Sequence, residues 1–182
     1  MKKYYLFSLL TIVAACFFMS CASLPKTVKP GDTLVIGRVE VKAHDYSLFS
    51  GTNLNGTFHS DVELEISEQV SGRKVTIKPN KDGCFYIKGL KAGYSYAVTK
   101  VSYMALKDGG GGVKMSVNIS YPKYFVAIDN KVVNLGCTYY DFDGAKNWVT
   151  WETKNHYYVK EFFNDLQEES EWYDKSIVDY RL

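Results

Sequence analysis

"DVELEISEQVSGRKVTIKPNKDGCFYIKGLKAGYSYAVTKVSY", residues 61–103, decides the fold class. Val62, Leu64 and Ile66 alternate with Asp61, Glu63 and Glu65, the period-two signature of an antiparallel strand with one dry and one wet face. "RKVTIKP" repeats the pattern with Val75 and Ile77. Asn80-Lys81-Asp82-Gly83 then supplies a turn, "CFYIKGL" a strand with Phe85 and Ile87 inward, Lys91-Ala92-Gly93 a second turn, and "YSYAVTKVSYMAL" a longer strand.

The pattern extends in both directions. Upstream, "TLVIGRVEVKA" sets Val35, Val39 and Val41 against Arg38, Glu40 and Lys42, with Gly37 read as a bulge. Asn55-Gly56 suits a tight hairpin turn. Downstream, Gly109 to Gly112 form a flexible loop before "VKMSVNISY", where Val113, Met115, Val117, Ile119 and Tyr121 alternate. "YFVAI", an Asp129-Asn130 turn and "KVVNLGCTYYDF" read as a further hairpin.

The period changes after Asn155, a plausible N-cap. Val159, Phe162, Phe163, Leu166 and Trp172 or Tyr173 fall near helical spacing, with Glu161, Asp165, Glu168 and Glu171 between them. The expected fold is mainly β: an antiparallel β-sandwich of seven to nine strands with one C-terminal amphipathic helix, about residues 155–173, covering an open end or face.

The N-terminus sets the domain organisation. Lys2 and Lys3 precede an uncharged stretch from Tyr4 to Met19, the layout of a secretory signal peptide, and this stretch is short of the about 20 residues a spanning helix needs. Ser20-Cys21-Ala22-Ser23 resembles the lipobox of bacterial lipoproteins, in which the cysteine becomes the lipidated first residue. Cys16, in Val13-Ala14-Ala15-Cys16, is the alternative; Cys21 is preferred because hydrophobicity ends there.

The expected division is therefore a signal peptide over 1–20, a lipid anchor and flexible tether over 21–32, and one domain over 33–182. The expected location is the bacterial cell envelope, on a membrane without spanning it. Removing 20 of 182 residues leaves 162, enough for one domain with a substantial core. It also removes two of the 22 basic residues, leaving 20 against 20 acidic, a balance that gives nucleic acid no basic stripe to bind.

Few residues invite chemistry. Cys84 falls on the face opposite Phe85 and Ile87, while Cys137 shares the inward phase of Val133 and Leu135, which argues against a disulfide without settling it. His44, His59 and His156 lack the close spacings of a zinc site. "DFDG", residues 141–144, fails as a calcium loop because Tyr139 and Thr150 would occupy its first and twelfth positions. The glycine run lacks the Gly-Lys-Ser/Thr ending of a phosphate cradle, and there is no Gly-x-Ser-x-Gly elbow. No metal, cofactor or enzymatic activity is expected.

Tyr139, Tyr140, Phe142, Trp148 and Trp151 cluster within thirteen residues. They offer either a recognition surface, for a protein or a glycan, or further core.

Residues 75–103 resemble the core hairpins of carboxypeptidase regulatory-like, or prealbumin-like, β-sandwich domains. The resemblance lies in Asp82-Gly83, Phe85, Ile87, Leu90, Gly93 and Tyr94, and in the opening "LVIGRVEV". It covers about a third of the chain after the signal peptide. It implies a non-catalytic accessory or binding domain and transfers no catalytic residue; the acidic helix and the glycine run depart from the family module. The expected partners are the membrane, through the lipidated cysteine, and another envelope protein or a glycan.

Overall fold

The computed structural model describes residues 24–44, 56–58, 61–106, 112–122, 124–143, 148–154, 156–166 and 169–180. Within them lie strands β1 (Asp32–His44), β2 (Gly56–Phe58), β3 (Val62–Glu68), β4 (Lys74–Ile77), β5 (Cys84–Lys91), β6 (Ser95–Leu106), β7 (Gly112–Asn118), β8 (Tyr124–Val126), β9 (Val132–Asp143), β10 (Trp148–Lys154) and β11 (Ile177–Asp179), with helix α1 (His156–Asn164) between β10 and β11. Setting aside β2, β8 and β11, of three residues each, eight of the described strands remain, within the number expected.

The strands form two sheets. In sheet A, β9 and β1 lie side by side in the middle. The far edge of β9 carries β11 and then β10, and the far edge of β1 carries β5 and then β2. Sheet B runs β4, β3, β6, β7, with β8 sharing the edge of β6.

Sheet B is antiparallel as expected, but sheet A is mixed: β1 with β9, and β9 with β11, run parallel. Antiparallel order is imposed by short hairpins. β1 and β9 are far apart in sequence and escape that constraint.

The core between the sheets follows the alternation. Val35, Val39 and Val41 of β1 and Phe142 of β9 meet Val62, Leu64 and Ile66 of β3 and Tyr103 of β6. The rings of Tyr103 and Phe142 stack across the interface, 5.5 Å between centroids and 12° between planes.

The bulge in this region is in β9, not at Gly37. Ile36 lies opposite Asn134 and Arg38 opposite Cys137, so β9 spends one residue more than β1, and Gly136 takes φ 69° there. Gly37 is required for space instead. A Cβ on it would stand 2.6 Å from the Phe85 ring, which fills the volume a side chain would need. The bulge reverses the phase of β9, so Val133 and Leu135 face the inter-sheet core and Cys137 faces out.

A second core covers the outer face of sheet A. Leu34, Ile36, Val132 and Cys137 pack there against Val159 and Phe163 of α1, Trp172 and Leu24. The helix ends at Asn164 rather than near residue 173. A short 3-10 turn, Glu171–Asp174, follows, its Ser170 hydroxyl accepting from the Trp172 N–H. Trp172 continues the apolar series but reaches its place through this separate turn, where it is 1 % exposed.

The segment from Leu24 onward, expected to be a tether, is packed. Leu24 is 2 % exposed, a burial worth about 2 kcal/mol. The Ser170 hydroxyl donates to the Pro25 carbonyl at 2.7 Å, Glu171 N–H donates to the Lys26 carbonyl at 3.0 Å, and Val28 N–H donates to the Glu171 carboxylate at 2.8 Å.

The outer face of sheet B, by contrast, is a polar ladder. Glu63 pairs with Lys78 and Lys114, Glu65 with Lys74, and the Ser102 hydroxyl lies 2.8 Å from that of Ser116. The helix packs instead on β9 and β1 of the other sheet.

Candidate functional site

The five aromatics read as either a recognition surface or further core do not act as one group. The β9 bulge turns Tyr140 and Phe142 into the inter-sheet core, where neither can offer a ring to a ligand. Tyr139 points the other way and packs, half-buried, against the second core. Trp148 and Trp151 belong to β10, in register with Asp143 and Tyr140; their side chains lie outside the described residues, as do Cys16, Cys21, Asn155 and most of the glycine run.

On the outer face of sheet A, Arg38 sits between the two cysteines, with Cys84 opposite it on β5 and Cys137 opposite it on β9. Neither cysteine is in a disulfide, and both are buried. Two strand spacings, roughly 10 Å, separate their backbones, beyond the about 7 Å that a disulfide tolerates. The expectation that Cys137 points into the sandwich fails because of the bulge, yet the pair stays apart.

Burial pushes the Cys84 thiol up to about 12 and raises that of Cys137; the neighbouring Arg38 pulls both the other way without prevailing. Neutral, enclosed thiols are neither nucleophiles nor ready metal ligands. Arg38 itself is spent on structure. Its Nε donates to the Asp82 carbonyl at 2.9 Å, its guanidinium lies 3.6 Å from the Glu40 carboxylate, and its Cζ stands 5.2 Å from the centre of the Tyr158 ring.

A second polar group ties the C-terminus down. Buried Asn134 donates to the His156 carbonyl at 3.0 Å and to the Asp179 carboxylate at 2.8 Å, while its own oxygen accepts from Gly136 N–H. Lys160 donates to the other Asp179 oxygen at 2.6 Å. Partial burial works to raise the Asp179 carboxyl, but the bonds from Lys160 and Asn134 outweigh it and hold the group below the usual carboxylate range. These donors and acceptors satisfy one another. Among the described residues no three His, Cys, Asp or Glu side chains are placed to hold a metal ion.

Exposed aromatics lie elsewhere, Tyr157 and Tyr158 on α1 and a group around β8. Phe125 of β8 is core, and its neighbours Tyr124 and Val126 therefore point outward. Tyr94, whose carbonyl accepts from Ala127 N–H just past β8, is exposed, with the Lys91 ammonium 5.9 Å from its ring centre. Tyr121, three residues before β8, is 89 % exposed. Alternation alone puts Tyr121 in phase with Ile119, but β7 stops at Asn118 and the phase stops with it. Pro122, a residue that sheet interiors exclude, is the signal for that stop. No protein-family model, curated protein or solved structure matches this chain.

Proposed function

We propose that this chain is a bacterial envelope lipoprotein, attached to a membrane through lipid on Cys21, with Cys16 as the alternative. Its domain is a non-enzymatic binding or assembly module for another envelope protein. The basic start, the uncharged stretch and the small residues around Cys21 support the anchor. The two packed sheets, and the Asn80 to Gly83 turn leading to inward Phe85 and Ile87, support a β-sandwich of the carboxypeptidase regulatory-like, or prealbumin-like, kind.

The observation that carries the binding role is the β8 corner. Tyr94, Tyr121, Tyr124 and Val126 are exposed around a short strand that, among the described residues, pairs with β6 alone. Tyrosine supplies large contact area with a polar tip, and it is enriched where proteins meet. A glycan is the second reading, favoured by the same exposed rings, which can stack on sugars.

Crosslinking the protein in its own cells, then identifying attached chains by mass spectrometry, separates the two. A dominant protein partner that is lost in Tyr121→Ala and Tyr124→Ala variants supports the assembly module. Absence of any protein partner, together with tyrosine-dependent retention on envelope glycan, replaces it with the glycan reading.

A further inference from the structure

We infer that the lipid anchor holds this domain close against the bilayer in one orientation, with the outer side of sheet A toward the headgroups and the polar face of sheet B away from them. The inference rests on the anchored reading above. Its basis is the strap from Leu24 to Val28. Leu24 is buried beside Trp172, and the Pro25 carbonyl, the Lys26 carbonyl and the Val28 N–H each bond to Ser170 or Glu171.

The chain is thus fixed to the body of the domain by its fourth residue counted from Cys21. Three Cα steps separate Cys21 from Leu24, a reach of about 11 Å. A free tether of the twelve residues 21–32 would instead wander over roughly 20 Å and set no orientation.

The strap emerges on the covered side of the molecule, because Leu24 packs on the face of sheet A that carries α1 and Trp172. An acyl group that must enter the bilayer brings that side to the membrane surface. The exposed residues of the strap and the one after it, Lys26, Thr27 and Lys29, are polar or cationic groups compatible with headgroups. The Glu63, Glu65, Lys74, Lys78 and Lys114 ladder lies beyond the other sheet, on the far side of the inter-sheet core. It then faces the aqueous compartment.

The test uses the lipidated chain in phosphatidylcholine vesicles that contain a headgroup spin-labelled lipid. A fluorophore is attached at Thr27→Cys on the strap or at Thr76→Cys on the exposed face of sheet B. Quenching severalfold stronger at residue 27 than at residue 76 is expected. A Gly/Ser linker of about ten residues inserted between Ser23 and Leu24 should abolish the difference, because it leaves the strap docked but frees the domain from the surface.

Equal quenching at the two positions in vesicle-bound protein overturns the orientation and leaves the anchor standing. A difference that survives the linker overturns the strap as its cause. If the chain does not float with vesicles and its N-terminal peptide carries no lipid mass, the anchored reading itself fails and the orientation falls with it.

Discussion

The outer face of sheet A is dry around Leu34, Ile36 and Val132 and that of sheet B is wet, although both sheets turn Val, Ile and aromatic side chains to the core between them. The strands record the difference. β3 alternates strictly, Val62, Leu64 and Ile66 against Glu63, Glu65 and Ser67, so every second residue meets water. Near its start β1 carries Leu34, Val35 and Ile36, three consecutive apolar residues with no wet partner among them. Consecutive apolar residues in a strand imply cover on both faces. In this molecule the cover comes from the two ends of the chain, Leu24 from one side and α1 with Trp172 from the other. Sheet B needs none, because Glu63, Glu65 and their lysines satisfy its exposed face.

If the two sheets share one core, the largest effect comes from breaking it. Phe142 is fully buried and stacks on Tyr103 of the opposite sheet. Phe142→Ala should cost about 3–5 kcal/mol, read as a fall in the urea midpoint with an unchanged slope. A loss under about 1 kcal/mol, within the range of a surface change, means that the sheets do not depend on each other there.

The covered face should respond less strongly and more locally. Leu24→Ala removes an enclosed side chain from the rim of the second core, for a loss of about 2–3 kcal/mol. Hydrogen exchange should show faster exchange at Glu171 N–H and Val28 N–H, whose partners are the Lys26 carbonyl and the Glu171 carboxylate, with little change at Val101 and Tyr103. Uniform acceleration across both sheets would show instead that the strap and the inter-sheet core unfold as one unit.

How much of this was legible from sequence depends on how local the cause is. The strands of sheet B, the turn at Asn80 to Gly83 and the alternation of β3 follow from residues adjacent in the chain. Asn80 Oδ1 receives both Asp82 and Cys84 N–H groups, as such a turn requires. The phase of β9 was not legible, because one extra residue at Gly136 exchanged the faces of Cys137, Tyr140 and Phe142. Alternation carries no memory across a bulge. The parallel pairing of β1 with β9 brings together residues about a hundred apart, and no local pattern encodes it. The role of Leu24 was hidden too: a single leucine among prolines and lysines reads as linker until Trp172 is placed beside it. The candidate site fared worst. The aromatic cluster was legible as composition, but which rings face water was decided by the bulge and by the end of β7.

The smallest effect belongs to the wet face. Lys114 lowers the Glu63 carboxyl most; burial opposes it, and Lys78 adds to the lowering, so Glu63 ionises below its usual range. A carboxylate whose folded value is depressed contributes stability that is present above its unfolded value and is lost as pH falls through the folded one. Both lysines are more than half exposed, so solvent screens the pairs and the contribution at pH 7 is only about 0.5–1 kcal/mol. Glu63→Gln should therefore lower stability by that amount at pH 7, and the gap to the native chain should close as pH falls below about 4. Urea titrations at pH 7 and pH 3 measure both values. A gap above about 2 kcal/mol at pH 7 would place Glu63 among groups whose loss strands a buried partner rather than in a solvated ladder. It would also erase the distinction between the two outer faces, because sheet B would then depend on its exposed side as sheet A does.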